Sequence, residues 1–111
     1  MGQTVTAYIR AQIIRWVSDD FPGFVECRFT DTGGREWSLI EKLPAVTDVD
    51  LRSSSQFPQP ALVACEVLAV AQDNAGRKIA EITTMTPFAI EATDESTRFL
   101  LYAEQLQVSH D

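Results

Sequence analysis

The chain has 111 residues and a mass of 12.4 kDa, the size of one ordinary domain, with no room for a catalytic domain beside a cofactor domain. Its 45% apolar and 23% charged residues are a globular composition, and no apolar run approaches the roughly eighteen residues that a membrane span needs. Sixteen Asp and Glu against nine Lys and Arg leave a net charge of −7, a poor balance for holding a polyanion.

Period-two alternation marks a half-buried strand. From Val5 the odd positions Val5, Ala7, Ile9, Ala11 and Ile13 are apolar, while Thr4, Thr6, Tyr8, Arg10 and Gln12 lie between them. The β-branched content favours a strand over the helix that Val5, Ile9, Ile13 and Trp16 would also allow. Two apolar neighbours at Ile13 and Ile14 break the parity, as a bulge or a barrel corner would. Ser18-Asp19-Asp20-Phe21-Pro22-Gly23 then turns the chain, with Pro-Gly suited to a type II turn. Val25, Cys27 and Phe29 alternate with Glu26, Arg28 and Thr30, Asp31-Thr32-Gly33-Gly34 signals a hairpin, and Trp37 and Leu39 lead the chain back.

Residues 43–60 break the pattern with three prolines and the run Ser53-Ser54-Ser55. Connections this long tend to be functional or mobile, and a short strand over 46–51 would shorten this one. Residues 61–71 are the most apolar, with Ala61, Val63, Cys65, Val67, Ala69 and Ala71 on one face and Leu62, Leu68 and Val70 on the other. A strand apolar on both sides is either central to a two-layer packing or half exposed to a partner. Asp73-Asn74-Ala75-Gly76 turns into 77–85, and after Pro87 the residues Phe88, Ile90 and Ala92 alternate again. A last turn leads to 97–108, where a strand pairing with the preceding segment competes with a helix capped by Ser96; we take the strand. The pattern predicts an all-β domain over 1–111, a small, mostly antiparallel barrel of six or seven strands. A β-sandwich, or a barrel with a C-terminal helix, is the alternative.

Chemistry-bearing residues are sparse. Cys27 and Cys65 sit in apolar stretches without metal-ligand spacing and read as small core residues, not as a disulfide or reactive thiols. The only histidine is His110, which argues against a His-dependent triad. Asp19, Asp20, Glu26, Glu41 and Glu66 are the carboxylates left for acid–base work, and solvated or cross-strand-paired roles suit them better. Asp48 and Asp50, with Asp19 and Asp20, lack calcium-loop spacing, and Gly33-Gly34 lacks the residues of a phosphate loop. No catalytic, cofactor-binding or metal-binding residue is therefore expected, and no cofactor. Tyr8, Arg10 and Trp16 could meet single-stranded nucleic acid, though without the clustered cations of a backbone-tracking groove. The N-terminus lacks a secretory signal and a convincing myristoylation motif at Gly2, which points to a cytoplasmic address.

The run Trp16-Val17-Ser18-Asp19-Asp20-Phe21-Pro22-Gly23-Phe24-Val25-Glu26-Cys27-Arg28, followed by Arg35-Glu36-Trp37 and Glu41-Lys42, resembles a group of small uncharacterised bacterial proteins of about this length. The resemblance implies a bacterial, cytoplasmic origin and carries no activity or site residue. In topology the expected hairpins look like the six-stranded barrel of translation elongation factor second domains, a likeness of shape that does not transfer function.

Charge is uneven: residues 1–45 hold five basic and six acidic residues, and residues 46–111 hold four and ten. The expectation is a non-enzymatic interaction module that binds a protein partner or a second copy through the 61–71 strand or the 43–60 segment. The candidate surface is Phe21, Arg28, Trp37, Phe57, Leu62, Leu68 and Val70, and a basic partner would be steered by the −7 charge. A weak single-stranded nucleic-acid binder and a small hydrolase using carboxylates are the alternatives, and no membrane contact is expected.

Overall fold

The computed structural model describes residues 5–108. Seven strands form one antiparallel sheet that curls into a half-barrel. They are β1 (Val5–Ser18), β2 (Phe24–Thr30), β3 (Glu36–Lys42), β4 (Gln59–Gln72), β5 (Lys78–Thr83), β6 (Arg98–Tyr102) and β7 (Leu106–Val108). Sheet order is β3-β2-β1-β4-β5-β6, so two meanders meet at the β1–β4 pair. Residues Ala7, Tyr8 and Ile9 pair with β4 along one edge of β1, and β7 returns to pair with the same residues. A strand has only two edges, so β7 occupies the other one, and this return curls the sheet. No helix among the described residues is long and apolar enough to cross a membrane.

The concave face holds the core, and the registers show why the alternation works. Ile13, Cys27 and Leu39 lie side by side, as do Ile9 and Val63, and Ile82 and Phe99. All are buried, Ile9, Ile13, Leu39 and Val63 completely. Phe29 and Trp37 pack edge-on against Phe99 at 5.1 and 4.9 Å between ring centres. The parity break at Ile13 and Ile14 is a bulge, after which Arg15 pairs with Glu26 and Trp16 with Val25. One extra residue moves the inward position from odd to even, so Trp16 packs on the core beside Val25.

The same device corrects the reading of 61–71 in part. A further register shift lies between Val67 and Ala69, and beyond it Val70 stands opposite Ala80 on the inner face. Up to Val67 the strand is apolar on both sides, with Ala64 buried on the face opposite Val63 and Cys65 and Leu62 half-buried beside it. Its parity changes at Leu68, so Leu62 points outward, whereas Val70 shares the inward side and is exposed because β4 and β5 overhang the core.

Four other expectations are corrected. Residues 46–51 form no strand; instead Leu43–Val46 is one helical turn, α1, with Pro44 in its first turn, where a missing N–H costs nothing. Leu43, Val46 and Leu51 are buried against the core. Residues 88–92 form no strand either, because Ala89 takes a left-handed φ of 54° and the backbone closes a loop. In it the Ile90 N–H donates to Thr84 O at 2.9 Å, and the fully buried Thr84 hydroxyl donates to Ile90 O at 2.6 Å. Ile90 and Ala92 are buried, so the alternation there recorded burial without strand pairing. Residues 97–108 are two strands joined by a 3-10 turn (Ala103–Gln105), not one strand or a helix, and β6 pairs with β5. Finally, Pro22 follows a cis bond and takes the third position of the turn closed by Gly23 N–H to Asp20 O, not the second position of a type II turn.

Both tight hairpins use one local rule. Asp31 and Asp73 each accept two backbone N–H groups on Oδ1, and Gly34 and Gly76 supply the positive φ, at 84° and 82°. The arginine after each glycine lies over an aromatic ring, Arg35 on Trp37 at 3.8 Å and Arg77 on Tyr102 at 3.5 Å.

Candidate binding groove

β1, β4 and the segment after β3 line an open groove of about 1090 Å³, whose wall includes the buried core residues Ala11, Ala61, Val46 and Leu51 beside outward-facing ones. Tyr8 and Arg10 occupy even, outward positions on β1; Leu62 stands opposite Arg10, and Gln107 of β7 opposite Tyr8. Lys42 at the end of β3, Pro44 and Ala45 of α1, Val49 and Phe88 also line the groove. Val49 and Phe88 are large apolar side chains left 58% and 63% exposed.

Charge distinguishes this groove from the remaining surface. Arg15, Arg28, Arg35, Arg52, Arg77 and Arg98 all pair with carboxylates. Among the described residues Arg10, Lys42 and Lys78 have no such pair, and the first two line the groove, where Asp48 is the one carboxylate. The groove is therefore locally positive on a chain of net charge −7.

The residues singled out in the sequence fall in several places. Leu62 lines the groove. Phe57 is half-buried and packs on the core; Leu68 and Val70 are exposed on the β4 overhang. Phe21 is 96% exposed at the tip of the β1–β2 turn. Trp37 is held by Phe99, by Arg35 and by its indole N–H donating to Asp31 at 2.9 Å. Arg28 reaches Glu26 of its own strand at 3.1 Å and, across to β3, Glu36 at 3.6 Å and Ser38 at 3.1 Å, the last two being cross-strand pairing of the expected kind. Trp16 does not join Tyr8 and Arg10, because its indole donates to Asp19 and its ring lies against Gly23, where an added Cβ would come within 2.7 Å of it.

The carboxylates offered for acid–base work do not line the groove. Glu26 is buried between Arg15 and Arg28; burial alone would raise its pKa, but donors from Ser38, Arg15 and Arg28 and the Arg15 charge outweigh it and hold the carboxyl below its ordinary value. Among the described residues no three His, Cys, Asp or Glu gather as metal ligands. His110 and the Gly2 motif lie outside the described residues.

Cys27 and Cys65 are unpaired and fully buried, and burial pushes both thiols up to about 12. Ellman's reagent should therefore detect no fast thiol in the folded chain at neutral pH and two after unfolding in guanidinium. A thiol that titrates rapidly under native conditions would contradict this burial.

The chain matches no family model, no curated protein and no solved structure. The groove thus rests on its own geometry. The sequence pointed separately to Leu62, to the 43–60 segment and to Tyr8 with Arg10, but nothing in the pattern joined them or placed Phe88 beside them.

Proposed function

We propose that the chain is a non-enzymatic protein-interaction module whose partner seats in the groove between β1, β4 and the segment after β3. One observation carries this reading: an open, mainly apolar groove in which Val49 and Phe88 stand exposed beside Leu62. Exposed apolar side chains gathered in a concavity favour a partner that covers them. The bacterial, cytoplasmic setting and the likeness of shape to elongation factor second domains belong to this reading and add no reaction to it.

A photoreactive residue replacing Leu62 should, in cells expressing the chain, give one discrete protein adduct. The same residue at Asn74, beyond the far end of β4, should not. An adduct of twice the chain's mass would make the partner a second copy. No adduct at position 62, or the same adducts at both positions, would remove the reading.

A further inference from the structure

We infer that the groove takes an extended segment of a partner protein that carries an acidic side chain among apolar ones, with its carboxylate seated on Arg10 and Lys42. This deepens the reading above and rests on it.

Charge comes first. Six of the seven arginines are engaged by the chain's own carboxylates, whereas Arg10 and Lys42 are not paired among the described residues and line the same groove. Both are exposed on the outside of the sheet, so neither is held by the core. An arginine's planar fork matches a carboxylate in two parallel hydrogen bonds, and a lysine adds a mobile point charge.

Size and shape then narrow the occupant. At about 1090 Å³ the groove stands at the upper end of the roughly 300–1,000 Å³ of pockets that enclose small molecules. It is also open to solvent, which suits an occupant that keeps part of its surface exposed better than one that must be enclosed. An extended polymer fits better. A nucleic acid strand would need cations repeated along its backbone, and two on a chain of −7 do not provide them. A peptide needs one carboxylate for Arg10 and Lys42 and aliphatic side chains for Leu62, Pro44 and Val49.

The test is selection of a random dodecapeptide phage library on the full chain. The selected peptides are then titrated by fluorescence polarisation, with a twenty-residue oligo-dT as comparison. We expect an Asp or Glu flanked by apolar residues in the selected peptides. Their affinity should fall about tenfold or more in the Arg10→Gln, Lys42→Gln double variant, and binding should be lost in Leu62→Glu. Circular dichroism checks that each variant folds, and Leu62→Ala replaces Leu62→Glu if the charge unfolds the sheet. Peptides without an acidic residue, lost in the Leu62 variant but indifferent to the double variant, would overturn this inference and leave the groove as a docking site. Oligo-dT binding that needs Arg10, with no peptide selected, would also overturn it. Peptides that bind regardless of Leu62 would remove the groove reading itself.

Discussion

Replacing Ile9 by alanine is expected to destabilise the chain by about 2–5 kcal/mol. Ile9 is completely buried on β1, with Val63 of β4 beside it on one edge and Leu106 of β7 on the other. The substitution removes three carbons, about 2.4 kcal/mol of transfer free energy at about 0.8 kcal/mol per methylene. A cavity term adds to this, because hydrogen-bonded strands on both edges stop the backbone from collapsing into the space. For a chain of this length each kcal/mol lowers the melting temperature by about 4 °C, so thermal unfolding should begin about 8–20 °C lower. Ile9→Val, which leaves a much smaller void, should cost about 0.5–1.5 kcal/mol. Equal melting curves for Ile9→Ala and the parent would mean that Ile9 is not in the core.

Glu26→Gln should destabilise the chain less than Ile9→Ala, and by an amount that depends on pH. Arg15 Nε donates to one carboxylate oxygen at 2.6 Å and Arg28 to the other at 3.1 Å, and the side chain is only 11% exposed. The amide keeps the shape but supplies one acceptor oxygen and no charge. At pH 7 the loss should be about 1–3 kcal/mol. The larger penalty of a fully buried broken pair does not apply, since Arg15 and Arg28 are 57% and 41% exposed and water can take the place of the lost charge. Because the folded pKa lies below the ordinary glutamate value, the contribution is complete above that value and is lost as pH falls through the folded one. Urea midpoints of parent and variant should therefore differ at pH 7 and converge as the pH falls below the ordinary glutamate range. A constant gap across that range would show that the charge is not what Glu26 contributes.

The strands of the first half were legible because each hides one face and carries its own turn chemistry. Asp31 to Gly34 states the hairpin locally, through two N–H groups on one carboxylate and a glycine free to take a positive φ, and β2 and β3 follow with their parity intact. The doublet Ile13-Ile14 marked the bulge for the same reason, since one extra residue must show as a break in alternation. The stretch around Leu68 was harder to read: both parities were filled by apolar residues, so the change of phase left no break. Only pairing with Ala80 shows that Val70 belongs to the inner side. Ile90 and Ala92 show the opposite limit, because burial produces alternation whether or not a neighbouring strand supplies hydrogen bonds.

The candidate site was legible only in fragments. Tyr8 and Arg10 are visible as outward positions of β1, and residues 43–60 as an unusual connection. Their adjacency depends on β4 crossing back to the free edge of β1 and on α1 folding over the sheet.

The sequence alone determined an acidic, all-β chain with one apolar face per strand and its hairpins, because period, turn residues and charge are local properties. The tertiary structure decided which strands are neighbours, where bulges reverse the inward side, and which cations remain unpaired among the described residues beside an exposed apolar groove. Those depend on contacts between residues far apart in the chain, and no local pattern of side chains records which distant carboxylate an arginine will meet.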